Sequence, residues 1–132
     1  MSDALEPALE VDVIAATLVA QSRESGDLLE HLATKLGGGL PEWTTIKRAG
    51  WFFSSRRPVR QLTLDLGPER FRIVRSPQGP VARHVRVVRG VEIGSREIAI
   101  EAWLAAVVEA LRVLATQNEA ARRALDGFIQ DA

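Results

Sequence analysis

At 132 residues, 26% of them charged and 46% hydrophobic, the chain has the composition of one folded domain able to bury a core without staples. It contains no cysteine, which excludes a disulfide framework, a thiolate nucleophile and a cysteine-ligated metal. Its formal net charge of zero conceals strong polarity: Lys47 to Arg89 carries eleven basic residues against only Asp65 and Glu69, while the rest carries six basic and fifteen acidic.

No apolar run approaches the roughly 20 residues that span a bilayer. The acidic start (Asp3, Glu6, Glu10) lacks the basic n-region of a signal peptide, so cytoplasm is the default compartment. Heavy use of Ala, Arg, Leu and Val, with Lys35 and Lys47 the only lysines, points to a GC-rich bacterial genome.

In chain order, residues 1–7 are expected to fray and residues 8–36 to be helical. Leu9, Val13, Ala16 and Ala20 form one apolar stripe, and Leu28, Leu29, Leu32 and Leu36 another. Ser25-Gly26-Asp27 interrupts them; glycine costs about 1 kcal/mol against alanine inside a helix and Asp27 is a good N-cap, so a kink or restart is expected there. Gly37-Gly38-Gly39 and then Pro41 end the helix, with glycine supplying a left-handed cap.

The middle reads as β-structure. Trp43 to Arg48 is a short strand of β-formers. Val59 to Leu66 alternates, with Leu62, Leu64 and Leu66 on one face and Gln61, Thr63 and Asp65 on the other; Gly67-Pro68-Glu69 turns the chain into a hairpin with Arg70 to Arg75. After a second turn at 76–80, Val81 to Arg89 forms a strand with Val85 and Val87 expected inward and His84, Arg86 and Val88 outward. Gly90 marks a bulge, beyond which Val91 to Ile98 either pairs or loops. Ile100 to Ile129 reads as one helix of about 45 Å. Its stripe runs from Ile100 through Trp103, Leu104, Val107, Val108, Leu111 and Leu114 to Leu125, Phe128 and Ile129, thinning at Thr116-Gln117-Asn118.

This order gives a single α+β domain over 1–132. It is a two-layer sandwich in which an antiparallel meander of four to five strands has an N-terminal helix and a long C-terminal helix on one face. The uncovered face then carries Arg70, Arg72, Arg86, His84, Gln61 and Thr63. Together with Arg75, Arg83 and Arg89, these arginines are candidate phosphate contacts, since guanidinium pairs bidentately with phosphate. The plainer reading is the solvated face of a half-buried sheet, neutralised by helix carboxylates.

The segment 50–58 places Trp51, Phe52 and Phe53 beside Arg56 and Arg57. Three consecutive aromatics in an extended segment cannot all face one core, and aromatic plus arginine is the composition of binding hot spots. These five residues are the candidate partner-binding set. No catalytic residues emerge: Ser54 and Ser55 lack a Gly-x-Ser-x-Gly setting, and Asp65 and Glu69 suit a tight turn. His31 and His84 have no metal-ligand spacing. No metal and no cofactor are expected. An overhang of the last helix (Leu125, Phe128, Ile129) needs cover, and a homodimer supplies it economically.

The helix–meander–helix order resembles, in architecture, the small bacterial secretion chaperones and the YbaB-type nucleoid-associated proteins, both dimeric and non-enzymatic. That resemblance implies a binding protein and carries no residues with it. The expectation is a non-catalytic, adaptor- or chaperone-like domain, homodimeric, that binds a protein partner through the aromatic-basic loop and basic sheet face. The alternative is a nucleic-acid-binding protein using the sheet arginines.

Overall fold

The computed structural model describes residues 5–50 and 58–131, with side chains over 11–50 and 58–127. Helices α1 (Leu5–Glu24) and α2 (Leu28–Gly39) precede five strands: β1 (Thr44–Arg48), β2 (Val59–Asp65), β3 (Glu69–Val74), β4 (Val81–Val88) and β5 (Val91–Ile98). Helices α3 (Ile100–Ala115) and α4 (Glu119–Asp131) follow. The strands form one antiparallel sheet in sequence order, so the α+β meander is the architecture observed, and the segment after Gly90 is its fifth strand.

The break between the first two helices falls where composition placed it. Gly26 adopts φ +89°, open to glycine at no steric cost, and Asp27 Oδ1 accepts a hydrogen bond from the Glu30 N–H at 3.1 Å. The triple glycine acts differently from expectation. The positive-φ glycines do not include Gly37, Gly38 or Gly39, and α2 runs through all three before Leu40 caps it by donating to the Leu36 carbonyl at 2.7 Å. Gly37 serves close approach instead: a Cβ there would lie 3.1 Å from Ile46 Cδ1 of β1.

The core lies between the helices and the sheet. Leu62, Leu64, Phe71, Ile73 and Ala82 from the strands meet Leu29, Leu32, Leu36, Trp103, Leu104, Val107, Val108 and Leu111 from the helices. Trp103 packs edge-on against Phe71, with ring centroids 6.1 Å apart and planes at 87°.

The C-terminal helical segment is two helices rather than one. Asn118 Oδ1 accepts from the Ala121 N–H at 3.1 Å, capping α4 where the stripe thins. Helix α4 folds back onto α3 and α2, burying Ala121, Ala124 and Leu125. Leu125 therefore has its cover within the chain; the side chains of Phe128 and Ile129 lie outside those described.

The faces of β4 are the reverse of those expected. Val74 pairs with Val81 across the second turn, which sets Phe71 opposite His84 and Arg70 opposite Val85. Parity then puts Ala82, His84, Arg86 and Val88 on the helix side, and Arg83, Val85 and Val87 on the Arg70–Arg72 side. The physical reason is the limited width of the helical layer. On this side of β4 only Ala82 is buried in the helix–sheet core, whereas Val85 and Val87 lie on the other face, buried beneath a polar network.

Candidate interaction surface at the β4–β5 edge

On the face away from the helices, β3 presents Arg70 and Arg72, and β5 presents Glu92. Arg70 Nη1 and Arg72 Nη2 both donate to Glu92 Oε1, at 3.0 and 2.6 Å, and Arg70 Nη2 donates to Asp65 Oδ2 at 3.0 Å. These pairs reach from β3 to β5 and so cross over β4, where Val85 and Val87 lie. The Arg72 and Arg70 guanidinium groups hold the Glu92 carboxyl below its usual pKa, and Glu92 with Asp65 raises that of Arg70. Arg83 lies on the same face, donating to Ser95 Oγ at 3.3 Å and standing opposite Glu97.

Arg75 is likewise engaged. Its Nη2 donates to Asp27 Oδ1 and Oδ2 at 3.1 and 3.0 Å, and its Nε to the Val59 carbonyl at 2.8 Å. Glu30 does the same service nearby, accepting from Arg48 Nη1 at 2.9 Å and from the Val59 N–H at 3.1 Å. The start of α2 is thus clamped to the sheet. The Arg48 guanidinium and then the Val59 N–H hold Glu30 below its usual pKa. For Asp27, burial pushes upward, but the Glu30 N–H and Arg75 outweigh it, and the net shift is downward.

The helix-facing side of β4–β5 differs. His84 stacks on Phe71 with ring centroids 4.8 Å apart and planes at 8°, and its Nε2 lies 3.0 Å from Glu69 Oε1. Beyond it, Arg86 and Arg96 are exposed and make no ion pair or hydrogen bond with the described residues. Gly94 pairs with Arg86 and leaves open space above it. Pro68, Glu69, His84, Arg86, Gly94, Ser95 and Arg96 line a cleft of about 600 Å³. At its far end Val88 pairs with Val91; these two and Ile93 are 51%, 63% and 58% exposed. Arg89 sits in the turn between the strands at φ +52°, followed by Gly90 at +79°, the paired left-handed conformation of a two-residue hairpin loop. The β-bulge falls instead between Arg86 and Val87, opposite Ile93.

Of the candidate residues read from the sequence, Arg70, Arg72 and Arg75 are therefore held in ion pairs, Arg83 in a hydrogen bond, and Arg86 and Arg89 stand on or beside the β4–β5 strip. Trp51, Phe52, Phe53, Arg56 and Arg57 lie outside the described residues. Sequence reasoning missed Glu92, the centre of the outer network, and Arg96, which stands opposite His84 with no ion pair among the described residues. The parity of the Val74–Val81 turn fixes the faces of β4, and the bulge between Arg86 and Val87 then turns Glu92 and Arg96 to opposite faces of β5. Among the described residues no three histidine or acidic side chains converge as metal ligands, and no helix is long and apolar enough to cross a membrane. No protein-family model, curated protein or solved structure matches the chain, so the surface is read from its own chemistry.

Proposed function

We propose that the chain is a non-catalytic protein-interaction domain whose partner binds at the β4–β5 hairpin. The supporting observation is the exposed apolar group Val88, Val91 and Ile93 set directly beside Arg86 and Arg96, which have no ion pair among the described residues. Apolar side chains rimmed by arginine are the composition of protein-binding patches. The homodimer expected from the sequence rested on an overhang of Leu125, Phe128 and Ile129; Leu125 is buried against the chain's own helices, and the side chains of the other two lie outside those described.

A photoreactive amino acid in place of Val91, activated in cells, tests the reading. Adducts that protease removes and nuclease does not are the expected result; nuclease-sensitive adducts, or none, refute it. The alternative, nucleic-acid binding, is favoured by the lack of ion pairs at Arg86, Arg89 and Arg96 among the described residues. It predicts anisotropy changes with labelled DNA or RNA that collapse between about 50 and 200 mM salt. Salt-insensitive or absent binding removes that alternative.

A further inference from the structure

We infer that β5 is a docking edge for an extended acidic–apolar segment of another protein, which adds to the sheet as a sixth strand. This inference rests on the protein-interaction reading and specifies its mode and the chemistry of the partner.

The sheet has two edges, and they are unlike. β1 is five residues long, whereas β5 runs for eight, from Val91 to Ile98, with every residue from Val91 to Glu97 exposed. The side of β5 away from β4 has no strand neighbour among the described residues, so its backbone N–H and C=O groups are a template for another strand. Eight residues at about 3.3 Å each offer some 26 Å of edge, enough for a partner strand of ordinary length.

The two faces of that edge set the side chains of the guest. On the outer face Glu92 is already consumed by Arg70 and Arg72. On the helix-facing side Arg96 and Arg86 carry positive charge with no ion pair among the described residues, and Gly94, opposite Arg86, leaves a hollow that an incoming side chain can enter. Val91 and Val88 continue the same side with apolar surface. A strand whose helix-facing positions alternate from carboxylate, near Arg96 and Arg86, to aliphatic, near Val91, is complementary to this row.

A second copy of β5 is a poorer guest. In an antiparallel two-fold pairing centred on Ser95, Arg96 falls opposite Gly94 and no opposite charges meet; centred on Gly94, Arg96 falls opposite Glu92, which is turned to the other face and already held by Arg70 and Arg72. Centred on Arg96, the two arginines face each other, a destabilising like-charge pair. The charge pattern therefore points to a different, acidic chain.

The test uses the full chain and a fluorescein-labelled peptide of about ten residues alternating glutamate with valine and isoleucine, flanked by serines, titrated by anisotropy. The control carries the same charges with proline at every second position, which removes the N–H groups a strand must donate. Saturable binding of the alternating peptide with a Kd below about 1 mM, hydrogen-exchange protection appearing in residues 91–98, and an affinity loss of about tenfold or more in the Arg86→Glu/Arg96→Glu double variant are the expected results.

Several results overturn the proposal: no saturation by 1 mM, equal binding of the proline control, protection arising elsewhere, or unchanged affinity in the charge-reversed variant. Displacement by a short oligothymidine, or a dimer at sedimentation equilibrium that the peptide cannot dissociate, assigns the edge to nucleic acid or to a second copy and also overturns it. Circular dichroism of the double variant separates lost affinity from lost fold; if it unfolds, Arg96→Gln alone carries the comparison. Should the peptide fail while the Val91 cross-linker still captures protein, only the strand-addition mode is lost; failure of both removes the function reading itself.

Discussion

Replacing Glu92 with alanine removes the acceptor shared by Arg70 and Arg72 and uncovers the valines beneath. Ion pairs with partly exposed members contribute about 0.2–1 kcal/mol each. Glu92 side-chain exposure is 37%, against 19% for Arg70 and 23% for Arg72, which places both pairs within that range rather than above it. Uncovering even about 25 Å² of Val85 and Val87 adds about 0.6 kcal/mol. The expected loss is about 1.5 kcal/mol. With an unfolding entropy of about 2.1 cal/mol/K per residue over 132 residues, this lowers Tm by about 5 °C. Glu92→Gln keeps the methylenes and removes the charge, so about half the loss is expected, shrinking further near 1 M salt as screening tightens. Urea unfolding followed by circular dichroism reads both variants. An alanine variant within about 0.3 kcal/mol of the parent refutes the reasoning, because surface substitutions away from such networks fall in that band; the cover over Val85 must then come from elsewhere.

Acidification should destabilise the protein by a defined route. Asp27, Glu30 and Glu92 are all depressed in the folded state, so the unfolded chain takes up protons first; their stabilisation is complete above the unfolded values near about 4 and drains away as pH falls through the folded ones. Urea midpoints between pH 7 and 3 should fall, and fall less steeply in Glu30→Gln; parallel curves contradict the assignment. Trp103→Ala, which empties a fully buried site against Phe71, should cost about 3–5 kcal/mol in equilibrium unfolding. Gly38→Ala should raise stability by about 0.5–1 kcal/mol, because nothing lies within 4 Å of the added Cβ in a helical backbone. Gly37→Ala should gain less or lose, since Ile46 Cδ1 must give way at 3.1 Å.

Much of the architecture was legible because local chemistry and global packing agree in it. The stop at Ser25-Gly26-Asp27, the Leu62/Leu64 alternation and the turn before β3 each carry their own signal, and each reads the same in isolation as in the fold. The faces of β4 were not legible in this way. Val85 and Val87 look like core residues, and they are buried, but on the side of the sheet where, among the described residues, a salt-bridge network lies across them rather than the helices. Hydrophobic alternation shows that one side of a strand is sheltered without showing by what. Similarly, Arg70, Arg72 and Arg75 form a basic run in sequence, while their carboxylate partners sit 5 to 48 residues away, Asp65 within the basic segment and Glu92 and Asp27 outside it. Counting charge along the chain cannot locate partners that the meander brings across it. The class of the C-terminal segment was legible, but its division was hidden because Thr116-Gln117-Asn118 continues a helix as readily as it breaks one until Asn118 caps the next.

Charge pairing also bears on what the surface can bind. A protein that tracks a nucleic-acid backbone needs several cations in a row that are free to exchange counterions for phosphates. Here the arginines best placed for such a row on the outer face, Arg70 and Arg72, are committed to Glu92 and Asp65, and transferring them to phosphate means breaking contacts of 2.6 to 3.0 Å first. Among the described residues the sheet cations without an ion pair or side-chain hydrogen bond are Lys47 and Arg60 on β1 and β2, and Arg86, Arg89 and Arg96 at the β4–β5 hairpin, the last three set close to Val88, Val91 and Ile93. Phosphate gains nothing from that apolar surface, which stays as wet in such a complex as in the free protein. A guest that carries carboxylates and aliphatic side chains in alternation satisfies both at once. The same three arginines that make nucleic-acid binding conceivable thus favour an acidic protein segment, through the valines and isoleucine that stand among them.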